Sequence, residues 1–272
     1  MTEKSVSTKT NTIDFEVKNA VAYVTLDRAE KHNAFDDVMI AELTQCFNAV
    51  AKDDKIRAMV LQARGKSFSA GADLGWMQRM ARYTRDDNLE DAMKLAQMLQ
   101  MLNSMPKPTI ARVQGAAFGG AVGLVACCDI AIAAEESRFC LSEVRVGLIP
   151  ATISPYLIEA MGARACRRYF QTAEVFSAEQ AKALGLVNEV VLSQALEPHI
   201  NALIGNILKN GPQAVAKAKA LIGRVSGKPV DSKLMTETSQ MIADVRVSEE
   251  GQQGLQAFIH KQSAPWTENT ND

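Results

Sequence analysis

Residues 108–143 read PTIARVQGAAFGGAVGLVACCDIAIAAEESRFCLSE, and this stretch decides the fold. Its composition predicts a short buried strand over 109–113, a glycine-rich turn over 114–120, an apolar helix over 121–127 and a second strand over 129–133. Two buried strands joined through a tight turn and a buried helix are typical of an α/β protein.

The turn before this helix is built from small residues. A helix begins with backbone N–H groups that have no partner within the helix, and Ala117, Gly119, Gly120 and Ala121 leave room for a ligand to approach them. Tight packing of the helix against a sheet explains the same glycines equally well. The pattern therefore indicates a candidate site without establishing one.

A second loop of small residues lies upstream at 64–74, RGKSFSAGADL, and leads into a helical pattern that begins near Asp73. Its Gly65-Lys66-Ser67 is similar to part of a phosphate-binding P-loop, but the first glycine of that motif would fall at Val60. The glycines between 115 and 123 also differ from the spacing of a dinucleotide-binding turn. Neither nucleotide-binding hypothesis is supported.

Composition limits the partners and the kind of site. The chain has 272 residues, of which 47% are hydrophobic and only 6% aromatic, which predicts a core of aliphatic side chains. With 30 basic and 31 acidic residues the net charge is −1, so we expect neither nucleic acid nor a membrane surface as the main partner. The polar start, MTEKSVSTKTNT, and the lack of an apolar run of about 18 residues predict a cytoplasmic protein with a frayed N-terminus.

Cysteine and histidine spacing argues against a metal site. The five cysteines include no CxxC pair, so we predict reduced, buried thiols and neither a disulfide framework nor structural zinc. The three histidines lie in three different segments, which leaves little material for a Ser/His/Asp triad or a histidine metal site.

The remaining pattern predicts two regions. A hairpin over 13–27, a helix from Asp36, a strand over 56–63, a helix over 86–102, a capped helix from Ser177 and a last strand over 186–192 indicate an α/β core at 1–195. Residues 196–272 are almost wholly helical and too few to bury a core alone. We expect them to pack on the core or on another subunit.

The two small-residue loops suggest one kind of chemistry. Each loop opens a helix, and together they can direct two backbone N–H groups at one oxygen. Such an oxyanion hole stabilises developing negative charge, and each donor is typically worth about 10²–10³ in rate.

At this point the sequence resembles the crotonase (enoyl-CoA hydratase/isomerase) superfamily. The matching blocks are Asn33-Ala34-Phe35, SAGAD at 69–73, QGAAFGG at 114–120, CDI at 128–130, EVRVGLIP at 143–150 and AFIHK at 257–261. The resemblance implies an α/β fold, a crotonase-like spiral of ββα units whose helical C-terminal region covers CoA and forms a trimer or a dimer of trimers. It also implies acyl-CoA thioester chemistry without a metal or a redox cofactor.

The resemblance assigns roles by position. The oxyanion donors would be the backbone N–H groups of Ala70 and Gly120, and the catalytic acid would be Glu143. The residues that would bind substrate and CoA are Lys31, Ala34, Ala70, Gly71, Ala72, Asp73, Gly120, Gly123, Phe258 and Lys261. Phe258 and Lys261 would reach CoA from the final helix, in many relatives across a subunit boundary.

One position departs from the family pattern. Hydratases of the family usually carry two glutamates; Glu143 matches the second, whereas Gly123 stands at the position of the first. A glycine inside a helix costs roughly 1 kcal/mol relative to alanine, which suggests that Gly123 makes room for something.

Three functions remain in order of preference. The blocks FSAGADLGWM, GAAFGGAVG and CLSEVRVGLIPA look most like bacterial 3-methylglutaconyl-CoA hydratases of leucine breakdown, so the first is hydration of a branched, carboxylated enoyl-CoA. The second is an isomerase or another enolate-forming enzyme that needs only Glu143. The third, a non-catalytic acyl-CoA-binding protein, is disfavoured because such a protein has no use for a buried carboxylate.

Overall fold

The structure is a computed structural model and describes residues 6–270. The strands are β1 (Val6–Lys9), β2 (Ile13–Lys18), β3 (Val21–Leu26), β4 (Ala58–Ala63), β5 (Thr109–Val113), β6 (Ala116–Phe118), β7 (Ile130–Ala134), β8 (Arg138–Cys140), β9 (Phe176–Ser177) and β10 (Glu189–Val191). The helices are α1 (Asp37–Lys52), α2 (Leu74–Met80), α3 (Arg85–Asn103), α4 (Gly120–Cys127), α5 (Ser154–Thr172), α6 (Ala178–Ala183), α7 (Leu196–Leu208), α8 (Pro212–Val225), α9 (Ser232–Val247) and α10 (Glu249–Ile259). Short 3₁₀ turns lie at Ala29–Lys31, Glu143–Val146, Ser193–Ala195 and Pro265–Thr270.

The larger sheet has seven strands in the order β1-β2-β3-β4-β5-β7-β10. Strands β1, β2 and β3 are antiparallel neighbours, and the pairs from β3 onward are parallel. Parallel neighbours need a crossover connection, and α1, then α2 with α3, then α4 provide those between β3, β4, β5 and β7. This mixed α/β arrangement confirms the predicted fold class.

A small second sheet contains β6, β8 and β9. Strand β6 pairs in parallel with β8, which pairs antiparallel with β9. The prediction of an uninterrupted turn over 114–120 was therefore wrong, because 116–118 form a strand. The apolar residues of this short segment gave no alternation from which a strand could be recognised.

The core lies on the face of the large sheet that α1, α3 and α4 cover. Alanines on β5 and β7 leave space for α4, whose Ala121, Val122 and Leu124 are fully buried. A helix that is apolar on all sides is expected only where it is enclosed by protein. The N-terminus of α4 is thus held at a fixed place among the strands.

The described residues group into two compact units. The first consists of the residues up to Met105 together with Thr109–Ile200, and it contains both sheets. The second consists of Pro106–Pro108 and the residues from Asn201 onward. Within the second unit, the Glu250 carboxylate accepts hydrogen bonds from the first backbone N–H groups of α8, at Gln213 (2.9 Å) and Ala214 (2.7 Å).

Several local predictions have clear outcomes. The hairpin, the helix from Asp36 and the capping box at Ser177 are confirmed, and Asp36 itself is the N-cap of its helix. The predicted fraying of the N-terminus is wrong for Val6–Lys9, which pairs with β2. The first five residues of the chain lie outside the part that the structure describes.

The five cysteines are free thiols, four of them buried and Cys128 partly exposed. None of the helices between residues 6 and 270 is both long and apolar enough to cross a membrane.

Gly115 lies between β5 and β6 and packs against the small-residue loop at 64–74. It has φ +62°, and a Cβ placed on it would lie 1.8 Å from the carbonyl oxygen of Lys66. Gly147 also has positive φ (+75°), but a Cβ there would meet nothing within 4 Å. Backbone conformation alone therefore explains the second glycine, while close backbone approach is also needed for the first.

These two glycines form a matched pair for a stability test. Gly147→Ala should cost roughly 1 kcal/mol in the free energy of unfolding, from the left-handed conformation alone. Gly115→Ala must also displace backbone and should cost about 3 kcal/mol or more. Urea unfolding of both variants measures the difference, and equal losses would contradict the close approach.

Candidate active site

Helix α4 begins with a free backbone donor. The cap residue Gly119 has φ +55° and ψ −126°, a conformation that favours glycine, and its N–H donates to the carbonyl oxygen of Cys140 at 2.8 Å. The Gly119 carbonyl accepts from Val122 at 2.9 Å. Because a trans peptide directs its N–H opposite to its C=O, the Gly120 N–H points out of the helix, and it has no acceptor among the described residues.

The loop at 69–73 lies beside β6. Ser69 pairs with Ala117, donating to the Ala116 carbonyl at 2.9 Å and accepting from the Phe118 N–H at 3.0 Å. The pairing brings this loop to the segment that leads into α4. The two small-residue loops therefore meet, as an oxyanion hole requires.

The structure corrects the role of Ala70. Its N–H already donates to the carbonyl oxygen of His32 at 2.9 Å, so it is not available to a thioester oxygen. Ala72, two residues later, has the free donor of this loop. The Gly71 carbonyl accepts from the Phe35 N–H at 2.7 Å, and the Ala72 N–H of the same trans peptide points away from Phe35 without an acceptor among the described residues.

Glu143 lies beside both loops. A Cβ placed on Gly119 would be 3.3 Å from Glu143 Oε1 and 3.9 Å from the Cα of Gly71. Any side chain at position 119 would thus crowd the carboxylate and the 69–73 loop together. The absence of a side chain brings an acid and two loops with free N–H groups into one small region.

The Glu143 side chain is half-buried, and one of its carboxylate oxygens is fully buried. It opens the 3₁₀ turn that follows β8, and its Oε2 is buried without a hydrogen-bond partner in the described structure. Burial raises the pKa of Glu143, partly offset by a hydrogen bond to its own backbone. A carboxyl group with a raised pKa can both accept and return a proton near neutral pH.

Gly123 makes room for Ile153, the N-cap residue of α5. A Cβ on Gly123 would lie 2.2 Å from Ile153 Cγ2 and 2.8 Å from its Cβ, and Ile153 is 1% exposed. The position where relatives carry another glutamate is therefore filled by an apolar side chain. Glu143 faces no second carboxylate from this position of α4.

The predicted CoA-binding residues fall into two groups. In the first unit, Lys31 Nζ lies 3.4 Å from Asp73 Oδ2, Asp73 caps α2 and Ala34 is nearly buried. In the second unit, Phe258 is 84% exposed and Lys261 is exposed in a left-handed conformation. The functional roles of all five remain predictions.

Sequence reasoning missed Asn33 as an organising residue. This fully buried asparagine accepts from the Arg28 N–H at 2.9 Å and donates to the carbonyl oxygens of Arg64 (2.8 Å) and Ser67 (2.9 Å). It fixes the 28–35 segment to the 64–74 loop. The asparagine belongs to a block shared with the family, but its amide contacts are long-range and cannot be read from spacing.

The Gly123–Ile153 contact can be tested against another helical glycine. Gly205→Ala in α7 meets nothing within 4 Å and should gain up to roughly 1 kcal/mol in the free energy of unfolding. Gly123→Ala should instead destabilise the protein, and adding Ile153→Ala should cost less than in the wild type because the clash is relieved. Chemical denaturation of the four variants measures this, and additive losses would contradict the contact.

The burial of Glu143 predicts a pH-dependent stability difference. The pKa of Glu143 in the folded state is raised above the ordinary value of 4.5, so the folded protein binds this proton more tightly than the unfolded chain does. The stability that the bound proton contributes is lost as the pH rises through the folded pKa. Glu143→Gln does not titrate. The free energy of unfolding of this variant relative to wild type should therefore increase as the pH rises from about 4.5 through the folded pKa of Glu143. A difference that falls over this range would contradict the raised pKa.

Comparison with known proteins identifies the family. The model of the family described as enoyl-CoA hydratase/isomerase matches residues 16–269. A crotonyl-CoA hydratase from Syntrophomonas wolfei is 30% identical over 254 residues, covering 93% of this chain and 95% of that protein. A hydroxycinnamoyl-CoA hydratase-lyase from Pseudomonas fluorescens is 32% identical over 212 residues, covering 76% of each. The crystal structure of an enoyl-CoA hydratase from Shewanella pealeana has a TM-score of 0.92 and 46% identity, covering 94% of this chain and 96% of that one. The chain belongs to the enoyl-CoA hydratase/isomerase family.

Proposed function

We propose that this enzyme hydrates a branched, carboxylated 2-enoyl-CoA, 3-methylglutaconyl-CoA in leucine catabolism, with Glu143 as its only catalytic carboxylate. General hydration of enoyl-CoA follows from the family. The single observation that carries the one-acid scheme is that Ile153 fills the space of a side chain at position 123 while Glu143 keeps a buried oxygen without a partner.

The oxyanion hole in this scheme consists of the N–H groups of Ala72 and Gly120. Both groups are free and are fixed by hydrogen bonds of their own peptides, so little reorganisation is needed when charge develops on the thioester oxygen. Polarisation of the thioester draws electrons from the conjugated double bond and makes C3 electrophilic. The enolate oxygen that forms is stabilised by the same two donors.

Glu143 supplies the proton transfers. Its carboxylate takes a proton from water as the oxygen of that water bonds to C3 and the double-bond electrons move toward the thioester. The resulting carboxylic acid then returns the proton to C2, so that one water molecule is added overall and the Glu143 carboxylate is regenerated. The raised pKa of Glu143, caused by burial, supports the first step, because it makes the carboxylate a stronger base than an ordinary glutamate.

The remaining assignments belong to this proposal. Lys31, Ala34 and the 70–73 loop bind CoA, with Phe258 and Lys261 reaching it from the final helix. The protein acts in the cytoplasm as a homotrimer or a dimer of trimers and needs no cofactor beyond the CoA of its substrate. Exposed apolar side chains on the last two helices, including Ile242 (48% exposed) and Phe258 (84%), support an assembly that covers them.

An isomerase is the second candidate. The Gly123–Ile153 contact favours it, because moving a proton from one carbon to another needs a single acid and no activated water. The names of relatives at similar identity differ in reaction, crotonyl-CoA hydratase and hydroxycinnamoyl-CoA hydratase-lyase among them. The two candidates differ in whether oxygen from water enters the product.

The decisive test uses 3-methylglutaconyl-CoA and crotonyl-CoA in ¹⁸O-labelled water. We expect loss of the conjugated thioester absorbance, one ¹⁸O in the product and faster turnover of the branched substrate. Glu143→Gln should reduce kcat by several orders of magnitude with acyl-CoA binding nearly intact, since the amide cannot exchange a proton. Glu159→Gln, at an exposed position of α5, is the matched control and should be normal.

Three outcomes would count against the proposal. Hydration that survives Glu143→Gln would place the base elsewhere. Proton exchange and double-bond migration without ¹⁸O incorporation would establish the isomerase. Preference for crotonyl-CoA would refute the branched substrate.

A further inference from the structure

We propose that Arg28 is a positioning residue for the oxyanion hole, which it orients through the caps of two helices. The inference rests on the proposed function in one respect, the role of the Ala72 N–H as an oxyanion donor. Arg28 itself lies in the loop after β3 and is 8% exposed. It is not a catalytic residue in this proposal, because its contacts are to other protein groups.

The Arg28 guanidinium bridges two helix N-caps. Its Nη1 lies 2.5 Å from Asp36 Oδ2 and its Nη2 lies 3.2 Å from Asp73 Oδ2. Each carboxylate uses its other oxygen as a cap: Asp36 Oδ1 accepts from the Met39 N–H at 2.9 Å, and Asp73 Oδ1 accepts from the Trp76 N–H at 3.1 Å. A planar fork with fixed donors thus sets the separation of α1 and α2 at their starts.

The bridge encloses the peptide that presents Ala72. Phe35 lies next to Asp36 and donates to the Gly71 carbonyl, while its own carbonyl accepts from the Asp73 N–H, both at 2.7 Å. The Gly71–Ala72 peptide is therefore held on one side by Phe35 and at its end by Asp73. Displacement of either aspartate from Arg28 would let this peptide rotate and redirect the Ala72 N–H.

Lys31 contacts Asp73 as well, but it does not duplicate Arg28. The Lys31 side chain is 54% exposed and contacts Asp73 at 3.4 Å, whereas the Arg28 side chain is 10% exposed. Among the ion pairs of residues 6–270, only Arg28 joins the two caps, since Lys31 pairs with Asp73 and not with Asp36. Asp73 would keep its ion pair with Arg28 if the Lys31 side chain turned away toward a CoA phosphate.

The test compares two variants that loosen the bridge with one that loosens an unrelated ion pair. Arg28→Lys keeps the charge but cannot form the fork. Asp36→Asn keeps a good N-cap while removing the charge that faces Arg28. Arg168→Lys is the control, because Arg168 forms an exposed ion pair with Glu174 at 2.6 Å.

We expect Arg28→Lys and Asp36→Asn to lower kcat by about 10–100-fold, because small displacements of catalytic groups have effects of this size. KM should change by less than about threefold, since the donor acts mainly in the transition state. Arg168→Lys should leave both constants unchanged. A purely structural role for Arg28 would instead lower the fraction of active protein, with kcat per folded molecule preserved.

Amide hydrogen exchange separates this proposal from the proposed function. In both loosened variants, exchange should accelerate in the peptides that contain 34–38 and 69–76 and remain unchanged at β9 and α6. Folded variants with normal kcat would overturn the positioning role while the proposed function stands. If the wild type turned over no acyl-CoA, the proposed function would fail. In that case the Arg28 proposal would still be tested by hydrogen exchange, and unchanged exchange at 69–76 in the two variants would overturn it.

Discussion

The site depends on the absence of a side chain at Gly119. A Cβ there would lie 3.3 Å from Glu143 Oε1 and 3.9 Å from the Cα of Gly71, so the peptide before α4 approaches both the carboxylate and the loop before α2 only because position 119 is glycine. Both glycines have positive φ, at +55° and +97°, which fixes how each following peptide is turned. With alanine at either position the backbone would be strained and the space would be filled.

The directions of the Ala72 and Gly120 N–H groups are set by the hydrogen bonds that the carbonyl groups of the same peptides accept. The Gly71 carbonyl is held by Phe35 and the Gly119 carbonyl by the first turn of α4, so the attached N–H groups point outward. A ligand oxygen between them can accept a hydrogen bond from each, since neither has an acceptor among the described residues. The Glu143 Oε2, which is buried without a partner in the described part of the chain, is a third group that substrate or water can satisfy.

Much of this architecture was predictable from the sequence because it depends on local patterns. Helix α4 and the strands on either side of it follow from hydrophobicity and turn residues, and the capping box at Ser177 follows from spacing. Strand β6 was missed because three apolar residues have no detectable period. Ala70 was chosen over Ala72 because both lie in the same small-residue motif, and only the hydrogen bond to His32 distinguishes them. Gly123 was correctly suspected of making room for another group, but no local signal connects it with Ile153, thirty residues away.

In the proposed oxyanion hole, two backbone N–H groups converge on one thioester oxygen. Infrared spectroscopy of crotonyl-CoA carrying ¹³C at the thioester carbonyl, bound to Glu143→Gln so that no turnover occurs, measures the strength of these hydrogen bonds. We expect the carbonyl stretch to move to lower frequency on binding, because the oxygen accepts two preorganised hydrogen bonds. Adding Gly120→Pro, which removes one N–H, should reverse part of the shift. A saturated complex whose carbonyl frequency equals that of free crotonyl-CoA would contradict the proposed oxyanion hole.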